Sequence, residues 1–184
     1  GRYAYGNQPA IAQWNLARLA DALLPLIDAD AESAAQRAGA AVDAFAERFD
    51  FHWTSVLRLK LGLDGSGGDD RALADDYLTL LSQYRIDFTL AFARLADAAQ
   101  GNDTPLRALF GGTGAALELW LKRWRERTQA VGTSQVELAA ALRSANPIYI
   151  PRNHHVEAAL AAAVERDNLA PFERLLRVLE HPFD

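Results

Sequence analysis

The chain is predicted to be all-α, on three observations. Apolar residues recur at helical spacing along most of its length. No stretch alternates apolar and polar in the manner of a half-buried strand. The breaks between periodic stretches fall at Gly, Pro, Asn and Asp. Half of the 184 residues are apolar and 23% are charged, a balance that supports a packed core and argues against disorder. Residues 1–184 therefore read as a single helical region, a multi-helix bundle with no sheet, interrupted by a flexible loop at 64–70.

The first helix spans Gln8 to Ile27 and is the most apolar. From Leu16 its apolar positions fall at Leu16, Leu19, Ala20, Leu23, Leu24 and Ile27, the i, i+3, i+4, i+7 rhythm of one helix face. Ile11 and Trp14 widen the stripe and leave Gln13, Asn15, Arg18 and Asp21 as the polar minority. A helix so apolar around its circumference is expected to be the buried core. Pro9 stands where a first-turn proline is tolerated, and Pro25 kinks or ends the helix. A second pattern begins near Ala31, with Glu32 in the first turn, where the helix dipole favours an anion. Phe45 and Phe49 follow. After a bend near Asp50, Phe51, Trp53, Val56, Leu57, Leu61 and Leu63 continue the apolar supply and read as core.

Leu63 to Asp70 is the clearest break. Asp64, Ser66 and Asp75 fall at positions 1, 3 and 12 of a calcium loop, but position six has Asp69 where the sharp turn wants Gly, and position twelve lacks Glu. A solvent loop capping the next helix fits better. That helix is expected from Asp70 to Ala99, closed by Gly101-Asn102-Asp103. Thr104-Pro105 opens a short helical turn through Phe110. Gly111-Gly112-Thr113-Gly114 lacks the Gly-Lys-Ser/Thr ending of a phosphate loop and follows no strand, so it reads as a helix start with Thr113 near the cap.

The helix at 115–130 interleaves Trp120 and Trp124 with Lys122, Arg123, Arg125 and Arg127. Leu117, Trp120, Leu121 and Trp124 share one face, which makes a buried tryptophan stripe with a solvated back rather than a single-strand nucleic-acid platform. Thr133 or Ser134 caps a short helix through Leu142, with Glu137 three residues after Ser134 as in a capping box. Asn146 to Pro151 is too rich in proline for a helix and reads as an extended connector. His154 and Glu157 have metal-ligand spacing on the following helix, but two residues are not a site. A last helix runs from Ala170 to Leu179, and His181-Pro182 ends it.

Composition narrows function. A net charge of −5 argues against a nucleic-acid partner, whose phosphates require Lys and Arg. Without cysteine there is no disulfide framework, thiolate metal site or cysteine nucleophile, which suits a reducing bacterial cytoplasm. No apolar run spans a membrane, and no signal-peptide pattern is present. No nucleophile–base pair, paired carboxylates or metal constellation is visible, so no catalytic, cofactor-binding or metal residue is expected in this chain. A chain that starts Gly-Arg-Tyr and holds no Met is expected to be a piece of a longer protein.

Three blocks carry a family resemblance. Tyr3, Tyr5, Asn7, Gln8, Pro9, Trp14, Asn15, Leu16, Arg18 and Leu19 resemble the Y-x-Y-x-N-Q-P…W-N-L-x-R-L segment of the selenoprotein O family. Leu59 to Leu63 looks like that family's K-L-G-[FL] turn ahead of an acidic helix. Asn146-Pro147 with Arg152-Asn153 is similar to its N-P-x-x-x-x-R-N connector, followed by an Ala-rich helix and a closing His181-Pro182-Phe183. Order and spacing agree over essentially the whole chain.

The resemblance implies a pseudokinase-type fold whose members are protein adenylyltransferases. The chain would be the helical C-terminal lobe from just after the activation segment, with Gln8–Ile27 as its central helix. The nucleotide-binding and metal-binding residues of the family precede this region, and its redox Cys or selenocysteine follows it. The full-length parent would transfer AMP from ATP, held with Mg or Mn, to Ser, Thr or Tyr hydroxyls of protein substrates. Arg2, Tyr3, Asn7 and Gln8 would lie closest to the cleft and brace the activation segment. Arg152 and Asn153 would bind carbonyls that the connector leaves free. The rival is a stand-alone helical protein-interaction module without catalysis. Self-association separates the two: a lobe cut from its partner would expose the apolar patch it normally covers.

Overall fold

The computed structural model describes residues 4–63, 69–112, 114–130 and 132–183. Among them no strand occurs, and the fold class is all-α. The chain divides into two compact units, 1–56 and 57–184, with the boundary inside one helix. Most of the predicted loop at 64–70 lies outside the described residues.

In the first unit, a 3-10 turn at Tyr5–Asn7 leads into α1 (Gln8–Ile27), followed by α2 (Ala31–Asp43) and most of α3 (Phe45–Leu61). Asp30 caps α2 by accepting from the Glu32 and Ser33 amides at 2.8 and 3.3 Å. The break between α2 and α3 comes at Ala44, whose N–H reaches Ala40 O and Val42 O, and not at Asp50. The expectation that α1 forms the core is corrected. None of its residues is buried; Trp14 is 56% and Leu26 82% exposed. Within its unit α1 packs on α2, and Gln13 Nε2 donates to Val42 O at 3.3 Å. The Ala-rich face of α2 covers one side of α1, so its wide apolar stripe exceeds the surface available to bury it. Phe51 and Val56, expected as core, are likewise exposed.

The second unit holds the end of α3 and α4 (Asp70–Gln83), α5 (Phe88–Ala93), α6 (Leu95–Ala99), α7 (Thr104–Leu109), α8 (Ala115–Gln129), α9 (Gln135–Ala145), α10 (Asn153–Arg166) and α11 (Ala170–Leu179). The helix predicted over 70–99 is thus three. Arg85 takes a left-handed φ of 54°, the Ile86 amide reaches back to Leu81 O at 2.8 Å, and the Arg85 amide reaches Ser82 O. This is a Schellman ending. Asp87 then caps α5 by accepting from the Leu90 amide at 2.9 Å. The remaining boundaries follow the sequence closely, including the Ser134–Glu137 capping box and the extended connector at 146–151. The cap position of α8 is Gly114; Thr113 lies outside the described residues.

The core of this unit is the tryptophan face of α8 laid against α4. Trp120 and Trp124 are buried, with rings stacked at 5.9 Å, and Tyr77 stacks on Trp120 at 4.1 Å and meets Phe92 edge-on at 5.1 Å. Each polar atom these rings carry inside is satisfied by a backbone carbonyl. Trp120 Nε1 donates to Leu73 O and Trp124 Nε1 to Leu61 O, both at 2.8 Å, and the Tyr77 hydroxyl donates to Ala91 O at 3.0 Å. Burial pushes the Tyr77 phenol above its usual range, so it remains a donor. Leu57 and Leu61 are buried as expected, while Leu59 between them is 67% exposed.

Replacing Trp124 by Phe removes a buried donor and leaves Leu61 O unpaired beside a small void. We expect a loss of about 2–4 kcal/mol in unfolding free energy, read by denaturant titration. Phe51→Ser, at an exposed site, should stay within about 0.5 kcal/mol of the parent.

Candidate functional site

Two polar clusters of the second unit lie at the end of α3 and around the 146–152 connector. The α3 end is built by a glycine. Gly62 has φ +65°, its amide reaches Leu59 O at 3.1 Å, and the Leu63 amide reaches Arg58 O at 2.9 Å. A Cβ at Gly62 would overlap Leu138 Cδ1 and stand 3.2 Å from Leu142 Cδ2 of α9. Glycine is required here both by the left-handed backbone and by the close approach. The turn leaves Lys60 beside the C-terminus of α9. Its ammonium donates to Asn146 Oδ1 at 3.2 Å and Ala145 O at 3.3 Å, and lies 5.6 Å from the Phe92 ring centroid. Asn146, buried, returns the bond by donating Nδ2 to Lys60 O at 2.8 Å and to Leu142 O at 3.0 Å. Burial lowers the Lys60 ammonium below the ordinary lysine range.

At the other end of the connector, Arg152 precedes α10 and pairs with Asp87 at 2.6 Å. The hydrogen bond from Arg152 lowers the Asp87 carboxyl most, with help from the Leu90 amide; the same pairing raises the Arg152 guanidinium. Arg152 therefore takes a carboxylate, which also caps α5, rather than connector carbonyls. Asn153 is exposed at the first position of α10. A third cluster joins the α3 end to α4 and α8. Asp70, 7% exposed, receives Arg127 Nε at 2.7 Å and Nη2 at 3.1 Å, with Arg58 Nε 2.9 Å away.

Of the other residues singled out in the sequence, Arg2 and Tyr3 lie outside the described residues. Asn7 and Gln8 are exposed at the start of α1 in the first unit, and Asn7 makes no side-chain cap. His154 and His155 are exposed with ring centroids 4.0 Å apart. Among the described residues no group of His, Asp or Glu can hold a metal ion. Gly111 and Gly112 have positive φ because they end α7, with the Gly112 amide bonded to Arg107 O at 2.9 Å. They form no phosphate cradle. Nor, among the described residues, is any helix long and apolar enough to cross a membrane.

Sequence reading did not single out Lys60, Asp70 or Asp87 as site residues. Asp87 carried a signal, an Asp three residues before Leu90 at a helix start. The Asp70 cluster carried none, because its arginines come from 12 residues before and 57 after it.

Asp87 binds a proton less readily folded than unfolded. Its stabilisation is therefore full above the unfolded carboxyl value of about 4 and is lost as pH falls through the lower folded value. Asp87→Asn should lower stability at pH 7 and flatten the acid limb below pH ~4; an unchanged acid limb would show that the pairing contributes nothing.

Comparison with known proteins follows the same stretch. A family model described as protein adenylyltransferase SelO matches residues 1–180. The chain is 52% identical over 183 residues to the protein nucleotidyltransferase YdiU of Cereibacter sphaeroides, covering all of this chain and 36% of that protein. It is 50% identical over 184 residues to that of Chromobacterium violaceum, covering 38% of it, and 48% identical over 187 residues to that of Rhizobium etli, covering 37%. The chain thus spans little more than a third of the relatives it matches.

Proposed function

The chain belongs to the SelO protein adenylyltransferase family, and from that premise we propose that its full-length protein moves AMP from ATP to hydroxyl side chains of other proteins. The observation that carries the reading is the family match across 1–180, with relatives named as nucleotidyltransferases. In such a transfer the acceptor oxygen bonds to the α-phosphorus, pyrophosphate leaves, and the hydroxyl proton passes to a base. Serine, threonine and tyrosine of protein substrates are the acceptors in this proposal. The reaction belongs to the bacterial cytoplasm, where ATP and magnesium are at hand.

The described residues do not fit ATP phosphates or a divalent ion. They hold no metal-binding group, and the glycines that might cradle a phosphate instead close a helix. No chemical step is therefore assigned to this chain. Its part in the reading is structural. The second unit consumes its buried charges and amides internally: Lys60 on Asn146, Arg152 on Asp87, and Arg58 and Arg127 around Asp70. Asn7 and Gln8, exposed at the head of α1, are the residues the proposal leaves to brace the activation segment.

Full-length protein incubated with ATP labelled on the α-phosphate should label acceptor proteins, while γ-labelled ATP should not. Label carried from the γ position would make the protein a kinase and overturn the reading. Arg152→Ala should lower transfer and melting temperature together, as a brace would. Asn7→Ala should lower transfer several-fold with melting unchanged.

A further inference from the structure

We draw no further inference here: the strongest candidate, the groove between α10, α11 and the connector at 148–150, is an unpartnered apolar face, and nothing in the structure shows what covers it.

Discussion

The turn that closes α3 holds two further helices of the second unit in place. Lys60, Leu61 and Gly62 are consecutive, and each fastens a different element. Lys60 holds the end of α9 through Asn146 and Ala145. Leu61 is buried, and its carbonyl receives the Trp124 indole of α8. Gly62 turns the chain with a left-handed backbone while α9 leucines press against its α-carbon. A helix end normally leaves carbonyls without partners. Here the turn satisfies them locally and uses the exposed geometry to clamp two further helices. Asp70, with Arg58 and Arg127 around it, ties the same helix end to the start of α4 and the last turn of α8.

Two of the blocks that carry the family resemblance meet at this point. Leu59 to Leu63 and Asn146-Pro147 are separated by more than 80 residues, yet Lys60 and Asn146 exchange hydrogen bonds in both directions. The resemblance is therefore not a set of isolated surface patterns. It marks contacts that set how the connector leaves α9 and where Arg152 arrives beside Asp87. The family assignment places these contacts within a nucleotidyltransferase family.

Elements with a local physical signal were legible in the sequence. The tryptophan face of α8, the capping box of α9 and the proline-bounded connector each depend on residues close together, and each stands as read. The break between α4 and α5 was not legible, because the left-handed position is filled by Arg85 where a glycine would have announced it. Core membership of α1 was misread for a different reason. Periodicity reports how much apolar surface a helix carries, but not how much its neighbours cover, and Trp14 and Leu26 remain exposed. The site contacts were legible only in part. Asn146, Arg152 and Lys60 stand in motifs and Asp87 at a local cap of α5, whereas the partners they take across the unit, and the whole Asp70 cluster, come only through tertiary approach.

The measurement that tests this account most directly compares two glycines with the same backbone hand. Gly62 and Gly101 have φ of +65° and +84°, but a Cβ at Gly101 meets nothing within 4 Å. Gly101→Ala should cost only the left-handed strain, about 1–2 kcal/mol. Gly62→Ala should cost that strain plus displacement of Leu138 and Leu142, on the order of 2–5 kcal/mol in all. Unfolding titrations of the two variants that give a clearly larger loss at Gly62 support the turn as the clamp of the unit. Equal losses would contradict it.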